Sequence, residues 1–271
     1  MPPANPGSDE LLTVTRKFAE KSVRPKVDTW ERERHIDRST LEAAAELGLM
    51  GIEVPAALGG LGLSFSAKNA VTRILAAVDF GFSMSVVNSQ NVAAKLCRYA
   101  PEPVREAYLE DLLCARRLGC TALTEPGAGS DFAAIQTTAE RCAGGWLLRG
   151  EKAWIVNAVA ANVIFAYAQT EPGSGGAGIG AFLIDGTREG FHRHAGFDLI
   201  GQHTIGTGAF TLDNYVAREA ELIIEPAIRR NIRLAEAPSH GIPIHLHKPT
   251  SAGGQDYQDV SSVLERRWRL G

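Results

Sequence analysis

The sequence predicts an α+β protein, an N-terminal all-helical domain followed by an antiparallel β-barrel or sandwich domain, and three observations predict it. Glycine is sparse and then dense: residues 1–118 hold 7, residues 119–226 hold 17 and residues 227–271 hold 4. Apolar residues of the first segment recur at helical spacing, whereas those of the middle segment fall in short runs between Gly and Pro. A length of 271 residues suits about two domains. The boundaries so drawn are 1–117, 118–226 and a divergent tail, 227–271.

The elements follow in order. Leu11, Val14, Phe18 and Ser22 keep helical spacing up to Pro25. Ser39 and Glu42 have the Ser-x-x-Glu form of a capping box, and the helix that follows, over 41–47, stops at Gly48. Further helices are predicted over 66–79, 84–99 and 103–117, the last opening with Pro103, whose missing N–H costs nothing in a first turn. From Gly119 seven strand-length runs are predicted, at 120–124, 135–141, 146–149, 153–156, 163–169, 181–184 and 209–215. The run GSGGAGIG at 173–180 reads as a hairpin tip; a phosphate-binding loop would need a Lys after its Gly, and no such arrangement occurs. In the tail, 242–246 is a candidate strand, and Tyr257, Val260, Leu264 and Trp268 share one helix face.

Composition narrows the function. Hydrophobic residues are 45% and charged residues 22%, ordinary globular values. The net charge of −3 gives no support for nucleic-acid binding, which draws on excess positive charge. The tail carries +3 and the rest −6. The amino terminus has neither a basic region nor an apolar run, and no stretch reaches the length of a membrane span. Cys97, Cys114, Cys120 and Cys142 form no C-x-x-C pair, so neither a disulfide framework nor a zinc ribbon is expected, and the expected setting is cytoplasmic.

Two stretches carry chemistry. ALTEPGAGSD at 122–131 follows a strand, and its Pro, Gly127 and Gly129 let backbone groups approach a ligand closely. GEKAWIVN at 150–157 sets an indole, Trp154, at a strand start. On the residues alone, a surface turn and a core tryptophan are the simpler account.

ALTEPGAGSDFAA resembles the first signature of the acyl-CoA dehydrogenase family, and GEKAWIVNA resembles the strand motif that follows it. The likeness extends upstream through ELGLMGIEVPAALGGLGLSF at 46–65 and downstream through GQHTIGTGAFTLDN at 201–214, covering about residues 8–225. The resemblance implies a flavoprotein that takes hydrogens from the α and β carbons of an acyl-CoA thioester, with FAD accepting the hydride. It implies FAD contacts from Leu123, Thr124, Gly129, Ser130, Trp154 and Val156. Leu123 and Thr124 would line the flavin, Ser130 would also meet the acyl-CoA substrate, and Trp154 would cover one edge of the ring. It further implies an electron-transfer partner and self-association into a homo-oligomer.

Three departures stand out. Val156 occupies a position where the family often has Thr or Ser, so a hydroxyl to the flavin is missing. The stretch 205–209 lacks an Arg that would tie the sheet domain to its neighbours. After Pro226 the likeness to the family stops, so its C-terminal four-helix domain, which carries the catalytic carboxylate, is expected to be absent, no catalytic residue is assigned and weak FAD binding is expected. Residues 228–267 instead resemble the end of ParA-type partitioning ATPases, without their catalytic Lys. The alternative function is a non-catalytic interaction protein or fusion remnant.

Other candidates read plainly. Glu125, inside the signature, is expected to support its loop. His192 and His194 are expected to face solvent, and His245 and His247 lack a third metal ligand. Glu31 to Arg34 reads as a solvated helix face, and Arg229, Arg230 and Arg233 as a charged junction.

Overall fold

The computed structural model describes residues 6–224 and the single residue Thr250. The strand and helix expected in the tail, its likeness to partitioning ATPases, and His245 and His247 lie outside the described residues.

Helices occupy the first half. Helix α1 (Pro6–Phe18) runs into a π turn (Ala19–Val23) and a 3₁₀ turn (Arg24–Lys26) that carries Pro25. Helix α2 (Val27–Glu33) ends at Arg34, which is left-handed at φ 59°. Helix α3 (Arg38–Glu46) is capped by Asp37, not by the Ser39–Glu42 box expected from sequence. The Asp37 carboxylate accepts from Thr40 N at 3.0 Å, the Ser39 hydroxyl donates to it at 2.6 Å, and Glu42 is drawn off by Arg38. A carboxylate at the cap accepts from more donors than a hydroxyl can, and it wins.

Helices α4 (Phe65–Ala76), α5 (Phe80–Tyr99) and α6 (Glu102–Leu113) complete the layer, α4 capped by Ser64 and α5 by Asp79. The apolar faces of α4 and α5 close over Trp30, whose ring stacks on Phe82 at 5.5 Å, with Phe18 at 6.0 Å from Phe82, while Val104, Tyr108, Leu109 and Leu112 of α6 pack with Val163 and Phe165. Such aromatic pairs add about 1 kcal/mol each beyond buried area.

The second half is one sheet of eight strands: β1 (Gly119–Ala122), β2 (Thr138–Cys142), β3 (Gly145–Ile155), β4 (Val163–Gln169), β5 (Ile179–Asp185), β6 (Phe191–Arg193), β7 (Gly208–Arg218) and β8 (Leu222–Ile224). The order is β6-β7-β3-β2-β4-β5-β8, with β1 also on β4. The sheet is mixed, which corrects the expected antiparallel one: β4 pairs in parallel with both β1 and β2. The β2–β3 hairpin lies between β1 and β4 in sequence, so the chain has the length to return in the same direction. The two runs expected at 146–149 and 153–156 are a single strand, β3.

Distant strands meet across the core. Asp185 N on β5 donates to Tyr215 Oη on β7 at 2.8 Å, and Trp146 on β3 meets Phe182 on β5 edge-on at 5.6 Å. Since β5 and β7 are not neighbours in the sheet, these contacts show that it curls over its own core of Cys120, Leu148, Ile164 and Phe210.

Helix α5 joins the layers. Gly119 N donates to Ser89 Oγ at 3.1 Å, Asn157 Nδ2 donates to Gly119 O at 2.9 Å, and Ser85 Oγ donates to Asn157 Oδ1 at 3.1 Å. Ser85 and Ser89 of the helix thus meet Asn157 and Gly119 of the sheet layer, which are themselves bonded to each other. No helix among the described residues is long and apolar enough to cross a membrane.

Candidate functional site

Strand β1 ends at Ala122 and delivers Leu123, Thr124 and Glu125 to a turn closed by a two-way bond between Glu125 and Ala128: Glu125 N to Ala128 O at 2.9 Å and Ala128 N to Glu125 O at 3.2 Å. Glu125 is 6% exposed. Its carboxylate accepts from Gln136 N at 2.5 Å, Thr137 N at 3.0 Å, Thr137 Oγ1 at 2.5 Å and Lys152 Nζ at 2.7 Å. Burial alone would raise its pKa, but these donors outweigh it and hold the carboxyl below the ordinary range. Burial pulls the Lys152 ammonium down, and Glu125 opposes that pull. With four donors on it, three at Oε1 and one at Oε2, Glu125 is committed to holding the loop, as expected of it.

Gly150 makes this knot possible. It sits at φ 150°, and a Cβ there would lie 2.5 Å from Thr137 Oγ1 and 2.7 Å from Thr137 Cα. Only a residue without a side chain lets Thr137 come that close.

The two predicted stretches meet. Ala153 N donates to Thr124 O at 3.1 Å, and Lys152 Nζ donates to Leu123 O at 3.2 Å, so β3 lies alongside the chain leaving β1. Between Lys152 and Ile155, strand β3 carries one residue more than β7 opposite it, a bulge. Trp154 stands in this bulge with φ 60° and is 58% exposed. It is therefore not the core tryptophan that the residues alone suggested, and it lies near the end of its strand, not at the start. Among the described residues the core tryptophans are Trp30 and Trp146.

Leu123 is exposed, Thr124 half-buried, and Gly129 and Ser130 are exposed beyond the turn. A Cβ on Gly127 or Gly129 would meet nothing within 4 Å, so the loop opens into free space. Val156 is half-buried just past the bulge.

Sequence reading missed Phe197. Its ring stacks on Trp154 with centroids 4.1 Å apart and planes at 22°, and nothing in the local spacing of residue 197 announces this. Arg32, Glu33 and Arg34 are exposed, as a solvated helix face should be, whereas Glu31 is half-buried. Glu31 accepts from His203 N at 2.8 Å, and Arg34 Nη2 donates to Asp198 Oδ1 at 2.7 Å, so this end of α2 grips the sheet domain. His203 ties the sheet domain to α2 just before the stretch 205–209, which has no Arg. His192 and His194 are exposed as expected. Among the described residues no three His, Cys, Asp or Glu side chains gather as a metal site.

A helical layer feeding a curled mixed sheet, with an indole held open beside a loop of exposed backbone, defines an α+β protein with an aromatic ledge at the end of its sheet. Residues 5–115 match the family model for the acyl-CoA dehydrogenase N-terminal domain, and residues 120–215 match the model for the acyl-CoA dehydrogenase middle domain. The chain belongs to the acyl-CoA dehydrogenase family. It is 32% identical over 223 residues to a glutaryl-CoA dehydrogenase of Desulfococcus multivorans, covering 80% of this chain and 57% of that one.

Among solved structures, a glutaryl-coenzyme A dehydrogenase in complex with glutaryl-CoA superposes with a TM-score of 0.79 at 30% identity, over 83% of this chain and 58% of the other. A glutaryl-CoA dehydrogenase from Mycobacterium smegmatis in complex with FADH2 gives 0.75 at 25% identity, over 82% and 56%. The chain spans about half the length of the relatives it matches.

Proposed function

We propose that residues 1–117 and 118–226 are the helical and flavin-facing domains of an FAD-dependent acyl-CoA dehydrogenase, which removes hydrogens from the α and β carbons of an acyl-CoA thioester. The observation that carries this reading is the ledge: Leu123, Thr124 and Trp154 lie side by side through the bond from Ala153 N to Thr124 O, with the indole open. A flat, partly apolar ring suits an exposed indole and leucine, and the free space over Gly127 and Gly129 leaves room for it.

When bound, FAD supplies the hydride acceptor. The protein supplies position. Leu123, Thr124, Gly129, Ser130, Trp154 and Val156 would hold the cofactor, with Ser130 also turned to the acyl-CoA. Lys152 and Glu125 fix the Leu123 carbonyl and the turn, so that backbone groups stay oriented without rearrangement during reaction. Val156 offers no hydroxyl. Proton removal needs a carboxylate placed against the α-proton, and Glu125, buried and engaged with Lys152 and the turn, is not read as that base. The reading includes an electron-transfer partner to reoxidise the cofactor, self-association, and a cytoplasmic setting.

Titrating the full chain with FAD, followed by flavin and tryptophan emission, tests the reading. Saturable binding that weakens in Trp154→Ala and Leu123→Ala is expected. Binding unaffected by both substitutions, or none at all, overturns the ledge as a flavin site.

A further inference from the structure

Trp154 combines a backbone conformation that few residues with side chains adopt and a large ring left in water. Its φ is 60° in the bulge of β3, and the residue is 58% exposed. A non-glycine residue in the left-handed region carries strain and keeps its place only where the surroundings fix it. The backbone on either side is fixed. Ala153 N donates to Thr124 O, Lys152 and Ile155 keep their pairing with Phe210 and Gly208 on β7, and Asn157 N donates to Ile205 O at 2.9 Å. The side chain turns among its rotamers unless something meets it, and what meets it is the ring of Phe197, with centroids 4.1 Å apart and planes at 22°.

Phe197 stands on a loop tied down from several sides. Phe197 N donates to Thr207 O at 2.9 Å and His194 N to Ala209 O at 3.0 Å, which closes residues 194–209 on themselves. Val159 N donates to Gly206 O at 3.1 Å, and a Cβ on Gly196 would lie 3.1 Å from Val159 Cγ2, so the chain just beyond Trp154 packs on both ends of the loop. From the helical layer, Glu31 accepts from His203 N at 2.8 Å, and Gly81 of α5 comes so near that a Cβ there would stand 2.7 Å from Ile205 N. None of these ties uses the Phe197 side chain, so the loop keeps its course when that ring is changed.

A near-parallel ring at this distance covers one face of the indole and leaves the other in water. Stacking of two aromatic rings adds an attraction beyond their buried area, and a side chain that is already oriented loses less freedom when a ligand binds. An arriving flat molecule therefore finds a single open face, set at a fixed tilt.

We propose that Phe197 is a positioning residue of the ledge: from its anchored loop it backs one face of the Trp154 indole, fixes the ring, and so makes the opposite face the one on which a flat ligand stacks. That the ligand is FAD rests on the reading of Trp154 as a flavin contact; the backing of the indole does not.

The test is quenching of tryptophan emission by acrylamide in the full chain without ligand, the Trp154 component being the difference between the native chain and Trp154→Phe. Phe197→Ala opens the second face, and the quenching constant of that component should rise about twofold at unchanged Tm. Phe197→Tyr keeps a ring and should keep the native value. An unchanged constant in Phe197→Ala overturns the proposal, and so does an equal rise in Phe197→Tyr. NMR of the native chain decides independently of any variant: Phe197 ring protons shifted upfield by the indole, with cross-relaxation between the two rings, are expected, and their absence overturns the stack.

FAD titration of the same chains separates the two readings. Affinity that falls about threefold to tenfold in Phe197→Ala and returns in Phe197→Tyr is expected from the loss of one aromatic pair. FAD binding that is equal in the native chain and Phe197→Ala overturns the positioning role and leaves the flavin reading. No FAD binding by the native chain removes the flavin reading, and the backing of the indole is then decided by the quenching alone.

Discussion

Lys152 and Glu125 form an ion pair at 2.7 Å, with side-chain exposures of 0% and 5%, at the root of the turn that presents Leu123 and Ser130. Two charges taken out of water are costly unless every remaining proton and lone pair is used. Here the ammonium also donates to Leu123 O, and the carboxylate also accepts from Gln136 and Thr137. The pair therefore specifies one shape for the loop more than it adds stability.

Lys152→Met leaves Glu125 buried and uncompensated, and about 3–5 kcal/mol of unfolding free energy should be lost. Adding Glu125→Gln should restore a good part of it, because no bare charge then remains. Urea unfolding of both variants checks this; a loss under about 1 kcal/mol in the single variant would show that the pair is neutral or wet.

Gln90 on α5 is 2% exposed, and neither its amide nitrogen nor its amide oxygen has a hydrogen-bond partner. Two unmet polar atoms in a buried site should make Gln90→Leu more stable than the native chain, by about 1–2 kcal/mol. Thermal unfolding reads this as a rise in Tm, and a fall would mean that a water satisfies the amide.

Gly81 in the first turn of α5 packs on the His203 loop so closely that a Cβ would stand 1.9 Å from Thr204 Oγ1 and 2.7 Å from Ile205 N. Gly81→Ala should cost about 1–3 kcal/mol through overpacking. Gly127→Ala, whose Cβ enters open space, should stay within about 0.5 kcal/mol. Equal losses from the two substitutions would contradict the close approach.

Asp37 sets the acid limb of stability. Burial would raise its carboxyl, but Ser39, Lys26, Trp30 and Thr40 all donate to it and hold it far below the ordinary range. A depressed carboxyl contributes fully above its unfolded value near about 4, and the contribution fades as pH falls toward the folded one. Unfolding free energies measured from about pH 6 to pH 2 should fall less steeply for Asp37→Asn than for the native chain. Parallel acid limbs would remove Asp37 from the account.

Local order was legible in the residues. The helices over 66–79 and 84–99, the runs at 163–169 and 209–215, and the loop holding Leu123, Thr124 and Glu125 each depend on neighbours a few positions away. Periodicity and turn residues carry that information directly. Asp37 as a cap was missed because Ser39 and Glu42 imitate a familiar pattern, and a carboxylate two residues earlier took the donors.

What the sequence by itself determined was the order of helical and sheet segments, the signature loop, and the presence of an indole nearby. The tertiary structure alone decided that β4 runs parallel to β1 and β2, that a bulge turns Trp154 outward, that Phe197 stacks on it, and that Glu31 meets His203. Those depend on sheet register and on contacts between residues far apart in the chain, Glu31 and His203 being 172 positions apart. No local spacing records such a distance; it is fixed only when the two layers pack and each buried polar group must find its partner.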